Sequence, residues 1–222
     1  MRKHSVKIIS LLMGAALLTV PVSAKAWTLF GGSEKKHEHH ESKHHEKSGD
    51  FKEMMGNIIN SYLIVQKELA SDKTDHLAEE SKKMLKTAKE LEELIEEGNH
   101  TPDLHEFHET VEMEKLMHYV KALSANAANI KESRHIFKQI SSQLVKYVAA
   151  FGKPDNVKHE ILYIAHCPMY EKGSDWVQLT KEIKNPYYGS MMLACGSIKS
   201  DSSKMVHKQG GSERHEKHEH NH

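Results

Sequence analysis

Hydrophobic residues recur through the middle of the chain at alternating spacings of three and four, which is typical of one face of an amphipathic helix. Four stretches share this spacing, at residues 51–69, 77–95, 104–127 and 137–151. Short connections between helices favour antiparallel neighbours, so the pattern predicts an all-α, antiparallel four-helix bundle. The positions predicted to face its core are Phe51, Met55, Ile58, Tyr62, Val65, Leu69, Leu77, Ser81, Met84, Ala88, Leu91, Ile95, Leu104, Phe107, Val111, Leu116, Val120, Leu123, Ala127, Phe137, Ile140, Leu144, Tyr147 and Phe151.

Capping residues indicate where these helices begin and end. Asp50, followed three residues later by glutamate, resembles a capping box and predicts the start of the first helix. The Ser-Asp pair at 71–72 predicts a break and new N-caps for the second. Thr101 before a proline predicts the third start, and the apolar face of that helix wanders at 113–118, which indicates a bend. Gly152 predicts the end of the fourth helix.

The helical period ends after Gly152, and shorter elements replace it. Residues 161–165 are β-branched and aromatic and predict a short strand, with a second strand at 191–198. A short helix over 176–183 is predicted between them, with Ser174-Asp175 as its cap. A two-stranded ribbon would bring Cys167 and Cys195 together. The C-terminal part is therefore expected to be a small lobe of short strands and turns.

The amino terminus has the pattern of an export signal. Basic residues precede an apolar run at 8–20, which is too short for a membrane span, and Ala24-Lys25-Ala26 fits a cleavage site. We predict a signal peptide over 1–26 and a periplasmic or secreted protein that is not membrane-integral after cleavage. The leader carries four of the 31 basic residues and none of the 31 acidic ones, which leaves 27 basic residues and a formal charge of −4. This charge argues against a nucleic-acid partner.

Two histidine-rich tails flank the predicted domain of residues 50–199. Residues 27–49 and 200–222 are dominated by His, Glu, Lys, Ser and Gly, a composition typical of disordered segments. Imidazole suits Zn, Ni and Cu(II), so the tails are expected to bind these ions loosely. The tail candidates are His37, His39, His40, His44, His45, His215, His218, His220 and His222.

Residues 163–196 hold both cysteines of the chain, each with methionine nearby. Thiolate and thioether sulfur are soft ligands that select Cu(I) and, by the same argument, Ag(I). The candidate ligands are His166, Cys167, Met169, Met191, Met192 and Cys195. On a strand, Met191 shares a face with Cys195 and Met192 does not, and on a helical turn the i, i+4 spacing also pairs Met191 with Cys195, so Met191 ranks first. The alternative is a structural disulfide between Cys167 and Cys195, which would stabilise the fold by about 3–4 kcal/mol.

Four strings in this order, HCPM, DW, NPYYG and MMLACG, resemble the signature of an uncharacterised domain family. That family is often fused to the C-terminus of periplasmic adaptor (membrane-fusion) subunits of copper/silver-type heavy-metal RND efflux systems. The similarity extends upstream through RHIFKQIS at 134–141 and covers about residues 50–199. His166, Ser174 and Val177 replace the family's usual Tyr, Ala and Leu. The resemblance implies heavy-metal handling, with an efflux adaptor or pump as partner.

These observations leave two functions open and argue against enzymes. The first is a periplasmic sink or carrier for Cu(I)/Ag(I) in metal efflux or resistance. The second is a disulfide-stapled helical interaction module that docks on an efflux adaptor without a core metal. A thiol oxidoreductase is disfavoured because the cysteines lie 28 positions apart and form no C-x-x-C motif. A hydrolase is disfavoured because no nucleophile elbow is present, and HExxH occurs only within the histidine-rich tails, at 40–44 and 218–222, and not in the predicted domain.

Overall fold

A computed structural model describes residues 42–97 and 101–204, with side chains described over 51–97 and 101–203. Five helices make up most of the fold, and a small antiparallel sheet follows them, which confirms a mainly helical protein. The helices are α1 (Ser42–Ala70), α2 (Leu77–Glu96), α3 (Pro102–Thr110), α4 (Met113–Asn126) and α5 (Ile130–Phe151). The strands are β1 (Tyr163–Cys167), β2 (Ser174–Gln178) and β3 (Ser197–Asp201), with 3₁₀ turns at Gly189–Met192 and Ser202–Lys204.

The helices share one hydrophobic core, and the sequence pattern identified its residues. α1 packs on α2, α2 on α4, and α4 on α5, while the short α3 lies against α5 and α1. All the predicted core positions are buried except Ile95 and Phe151, which are partly buried. Aromatic rings join α1 directly to α5, since Tyr62 stacks on Phe137 with a centroid distance of 4.8 Å. The alternating three- and four-residue spacing therefore reported the buried faces correctly.

The predicted bounds of the third and first helices were wrong. The third predicted helix is two helices, α3 and α4, because Val111 is extended (φ −109°, ψ 117°). The side chain of Gln143 on α5 accepts the Glu112 backbone N–H at 3.1 Å, which compensates for the interrupted helix. The first helix begins at Ser42 rather than at Asp50, so the residues resembling a capping box lie inside α1.

The other starts and ends follow local chemistry. Thr101 caps α3 by accepting the Leu104 N–H, and Gly152 ends α5 with φ 75°. The second helix begins at Leu77, not beside the predicted caps at 71–72, because Glu68 fixes the turn between α1 and α2. The Glu68 carboxylate accepts the His76 backbone N–H at 2.8 Å and contacts the His76 ring. Asp72 does not cap α2 and instead pairs with Arg134.

The C-terminal lobe is a three-stranded antiparallel sheet in the order β2-β1-β3. This corrects the expected two-stranded ribbon and the short helix at 176–183, because Trp176 to Gln178 pair with β1 and are buried. Met191 and Met192 lie in the 3₁₀ turn rather than on a strand. The Ser202 backbone N–H donates to the Leu162 carbonyl, and the Ser202 hydroxyl oxygen accepts the Leu162 N–H. The folded lobe therefore reaches Ser202.

One buried hydroxyl connects the helices to the lobe. Tyr62 Oη on α1 accepts the Val177 backbone N–H of β2 at 3.1 Å and lies 2.8 Å from Ser141 Oγ on α5. Burial raises the pKa of Tyr62 well above its usual range, so the hydroxyl stays neutral. The phenol therefore ties two helices and a strand at one point.

The described helices include none with the length and apolarity needed to cross a membrane. The predicted signal peptide over 1–26 lies outside the described residues, as does the chain beyond 204. His44 and His45 fall within α1, although their side chains are not described.

Replacing Tyr62 by Phe should lower the free energy of unfolding by about 1–3 kcal/mol, because the Val177 N–H and the Ser141 hydroxyl lose a buried partner. Urea unfolding monitored by circular dichroism measures the change. Tyr147→Phe is the matched control, since Tyr147 is buried on α5 and its hydroxyl has no hydrogen-bond partner among residues 51–97 and 101–203. Equal stability losses in the two variants would show that the bridge contributes nothing specific.

Candidate functional site

The sheet brings the two cysteines together. Cys167 ends β1 and is fully buried, while Cys195 lies just before β3 and is partly buried. Both thiols are free, and their Sγ atoms lie 3.9 Å apart. The approach depends on Gly196 (φ 140°), where an added Cβ would stand 2.7 Å from the His166 carbonyl oxygen. A side chain at position 196 would push the Cys195 segment away from β1.

The sulfur separation fits a shared metal ion. A metal about 2.3 Å from both sulfur atoms, a typical zinc–thiolate distance, would subtend an angle of about 115° at this 3.9 Å separation. That angle lies between tetrahedral and trigonal coordination, so at least one further ligand is required. A disulfide bond is about 2.05 Å long, so oxidation would need the sulfurs to close by nearly 2 Å. The pair is placed for either chemistry.

The thiol protons compete with a metal at this pair. Burial raises the pKa of Cys195, and the adjacent Cys167 thiol raises it further through its hydrogen bond and its charge. The metal-free Cys195 thiol therefore stays protonated at neutral pH, and a metal that binds it must displace this proton.

Two of the three candidate methionines are open to solvent. Met169 is 60% exposed and Met191 is 77% exposed, whereas Met192 is partly buried. The sequence places Met191 above Met192 on two grounds, the shared face of a strand and the i, i+4 spacing of a helical turn. The first does not apply, because Gly189–Met192 form a 3₁₀ turn and not a strand. Their backbone positions remain local to the cysteines, since Met169 follows Cys167 by two residues and the Cys195 N–H donates to the Met192 carbonyl at 2.9 Å.

His166 is held on the opposite face of β1 from Cys167, because neighbouring side chains on a strand alternate between faces. Its Nδ1 lies 2.6 Å from Asp175 Oδ1, and Lys199 Nζ donates to the other Asp175 oxygen at 2.8 Å. Burial opposes ionisation of Asp175, but the Lys199 and His166 hydrogen bonds outweigh it and lower the pKa of the carboxyl. The structure therefore separates His166 from the sulfur ligands.

Aromatic side chains form the interior wall behind the cysteines. Trp176 and Tyr187 are buried and pack edge to face at 5.7 Å. Trp176 Cη2 lies 3.0 Å from the position of a Cβ on Gly196, so the indole ring supports the segment that carries Cys195. The Tyr187 hydroxyl donates to the Asp175 carbonyl at 2.6 Å, which fixes the wall to β2.

Residues 185–196, here called the sulfur loop, are organised by a residue that was assigned only to a turn. Asn185 is fully buried, and its Nδ2 donates to the Cys195 carbonyl at 2.8 Å. Its backbone N–H donates to Leu193 O at 2.8 Å, and its Oδ1 accepts the Tyr187 N–H. The Asn-Pro pair in the sequence was the signal for this role, since asparagine often closes turns through its side chain.

A charged pair fixes the sulfur loop to the helices. Arg134 on α5 donates to Pro186 O at 3.0 Å, Leu69 O at 2.8 Å and Asp72 Oδ1 at 2.6 Å. Asp72 Oδ2 accepts the Ser190 N–H at 2.9 Å. A Cβ on Gly189 (φ 57°) would overlap both charged side chains, so only glycine fits. Nothing local in the sequence predicts the Arg134–Asp72 pairing, because 62 positions separate the two residues.

Among the described residues, no three His, Cys, Asp or Glu side chains form a group that could hold a metal ion. The tail histidines at 37, 39, 40, 215, 218, 220 and 222 lie outside the described residues. Neither a family model, nor a curated protein, nor a solved structure shows a significant match to this chain.

Replacing Asp72 by Asn should loosen the sulfur loop while leaving the helices intact. The hydrogen bonds from Ser190 and Arg134 lower the pKa of Asp72 from 3.8 to about 2. Because the folded pKa is depressed, the carboxylate's contribution is complete above about pH 4 and is lost as the pH falls through about 2. We expect Asp72→Asn to cost about 1 kcal/mol, since this side chain is partly exposed.

Amide hydrogen exchange over residues 185–196 measures this loosening at neutral pH. The control is Asp75→Asn, which removes the same charge from an exposed position on the same connection. Unchanged exchange in Asp72→Asn, or equal acceleration in the control, would contradict an anchoring role for Asp72.

Proposed function

We propose that this protein is a periplasmic heavy-metal-binding protein, a sink or carrier for Cu(I) or Ag(I) that serves metal efflux or resistance. The observation that carries the proposal is the pair of free thiols 3.9 Å apart, with two exposed methionines on the adjoining segments. We assign a binding role, not a catalytic one. The pump-adaptor resemblance of the HCPM, NPYYG and MMLACG strings supports efflux as the setting.

The thiolates of Cys167 and Cys195 would be the two anionic ligands. The angle of about 115° expected for a shared metal calls for a third donor. The described residues add no further His, Cys, Asp or Glu group to this pair, so we assign the remaining position to thioether sulfur. Met169, Met191 and Met192 are the candidates, and a thiolate–thioether set selects soft monovalent copper or silver over zinc.

The exposure of the methionines suits exchange of the ion. Met169, Met191 and Ile64 are the exposed large hydrophobic residues in the described part of the chain. Solvent-facing thioethers would take an ion from a donor, and the buried Cys167 would retain it. The partners we propose are metal ions and a periplasmic efflux adaptor or pump, with export directed by the segment at 1–26.

We further propose that α1, α2, α4 and α5 constitute the antiparallel four-helix bundle expected from the sequence, with α3 as an accessory helix. Their packing order, together with the Tyr62–Phe137 stack between α1 and α5, supports this description. The bundle would act as the rigid support for the sulfur loop through Arg134 and Asp72.

His166 has a weaker place in this proposal, because its ring is engaged with Asp175. The tail histidines would form a second class of site that collects Cu(II), Zn or Ni loosely. Imidazole must be neutral to bind a metal, whereas thioethers carry no competing proton. The thiolates do carry one, but a bound metal lowers the pKa of a thiol well below its free value of about 8.5. The two classes of site should therefore differ in their response to acid.

A second candidate is the disulfide-stapled interaction module that docks on an efflux adaptor. It is favoured by the proximity of the thiols and by an apolar groove of about 460 Å³ between α1 and the lobe, lined in part by Leu63, Leu179 and Leu193. Thiol titration of protein purified from the periplasm without reductant separates the two functions. Two free thiols per chain support the carrier, and none in the metal-free protein supports the staple.

Replacing Cys167 and Cys195 together by Ser should abolish tight Cu(I) binding, which we expect at one ion per chain. Replacing Met169 and Met191 by Leu, a change that nearly conserves side-chain volume, should weaken the affinity about tenfold. Competition with a Cu(I) chelator under reducing conditions measures both effects, and circular dichroism checks that helical content is kept.

The control for this series is Met84→Leu, because Met84 is buried on α2 away from the lobe. Undiminished Cu(I) affinity in the double cysteine variant would rule out the assignment. An affinity loss in Met84→Leu equal to that of the Met169/Met191 variant would remove the evidence for thioether ligation.

Acid should separate the two classes of metal site. The reference pKa of histidine is about 6.5, so tail-bound Zn or Cu(II) should be released between about pH 7 and 5 while core Cu(I) is retained. Metal stoichiometry after dialysis at both pH values measures this. The comparison chain lacks residues 27–41 and 207–222, a deletion that leaves α1 intact. Release of core Cu(I) over the same interval would mean that histidines dominate the core site.

A further inference from the structure

A second concavity lies beside β1, where His166 rather than Cys167 is presented. It has a volume of about 360 Å³ and is bounded by α5, β1 and the turn between β1 and β2. Its lining residues are Lys138, Ser142, Val145, Lys146, His166, Lys172, Gly173, Ser174 and Asp175. Three lysines, one histidine and two serines thus line one space, together with a single acidic residue.

The carboxylates around this space are already engaged by nitrogen donors. Asp175 pairs with Lys199 and His166. Glu171 pairs with His135 and Lys138, and Glu112 with Lys115 and Lys146. No ion pair of Lys172 is found in the described part of the chain. The lining and the ion pairs around it contain five lysines and three carboxylates, the lysines being Lys115, Lys138, Lys146, Lys172 and Lys199. The lysines exceed the carboxylates by two, so the concavity has a net positive charge with the histidines neutral.

The turn at the rim is held in a costly conformation. Glu171 (φ 44°) and Lys172 (φ 67°) are non-glycine residues in the left-handed region, followed by Gly173 (φ 107°). Such residues persist where the surroundings enforce them, often at functional sites. A Cβ at Gly173 would stand 3.0 Å from His166 Cε1, so glycine allows the ring to lie against the turn. This conformation places Lys172 at the rim and His166 below it.

The His166 ring is engaged with Asp175 and does not itself attract an anion. Its Nδ1 is 2.6 Å from Asp175 Oδ1, so a neutral ring donates there and keeps an accepting lone pair on Nε2, and the lysines supply the attraction. Asp175 itself is shielded by Lys199, whose Nζ lies 2.8 Å from Oδ2. Each Asp175 carboxylate oxygen therefore already contacts a nitrogen donor, His166 Nδ1 or Lys199 Nζ.

We propose that this concavity binds a small, multiply charged oxyanion bearing phosphate or carboxylate groups. Lysine ammonium groups bind such oxyanions as point charges, and the Ser142 hydroxyl can donate a hydrogen bond to one, whereas the Ser174 hydroxyl already donates to the Tyr170 carbonyl at 2.9 Å. A volume of about 360 Å³ is within the range of small-molecule sites and exceeds what one phosphate ion fills. The ligand is thus a compact organic anion or an oxyanion bound with water. The site is independent of the cysteine pair.

The experiment titrates the full-length, metal-free protein with inorganic phosphate in one arm and citrate in the other. It uses constant ionic strength and pH 8, where the tail histidines are neutral. We expect saturable binding at one anion per chain, with ¹H–¹⁵N shifts concentrated at residues 172–175. The two arms distinguish phosphoryl from carboxylate recognition. Failure of saturation in both arms, or shifts confined to the tails, would overturn the proposal.

Two variants localise the charge that binds. Lys172→Asn removes the unpaired ammonium and keeps a residue that tolerates left-handed backbone, and Lys146→Gln removes a wall charge. Each should weaken binding about threefold or more, whereas Lys181→Asn at an exposed lysine outside the lining should not. A Lys172/Lys146 double variant that binds the anion as tightly as the unaltered protein would refute the site.

The Cys167/Cys195→Ser variant should bind the anion normally, which separates this result from that of the metal site.

Discussion

The contact on which the candidate metal site depends is the Arg134–Asp72 pair. One guanidinium bonds the end of α1 at Leu69, the carboxylate of Asp72 and the sulfur loop at Pro186. Arg134 is largely buried, and its charge is balanced by Asp72 alone among its three acceptors. Removing either charge would leave the other poorly compensated, which costs more than the pair contributes. The sulfur loop is thus positioned by electrostatics at one end and by packing against Trp176 at the other.

The lobe combines a rigid interior with an accessible edge. Cys167, Trp176 and Tyr187 are buried behind the sheet, and Asn185 closes the loop from within. The thioethers of Met169 and Met191 lie outside this interior. Such a gradient from buried thiol to open thioether would suit the proposed carrier, which must both hold and exchange a soft ion.

Much of the helical core could be predicted from the sequence, because a spacing of three and four residues directly reports the buried face of a helix. The break between α3 and α4 was anticipated only as a bend, since Gln143 compensates it from 31 residues away. The β2 segment was expected to be helical, because a short apolar run around Trp176 fits either structure. The proximity of the cysteines was expected, but by a different arrangement of strands. The separation of His166 from them follows from its bond to Asp175, which pairing across the sheet creates.

The anchoring of the sulfur loop has a consequence for the order of maturation. Residues 185–196 are held by partners that lie 52 to 118 positions earlier in the chain, at Arg134 and Asp72. Contacts of such long range form late in folding, because the chain between them must first be ordered. An unfolded or partly synthesised chain therefore presents two scattered thiols and no assembled soft-sulfur site. For the proposed metal carrier, loading would then be the final step of maturation, available only to a molecule whose helices have already formed.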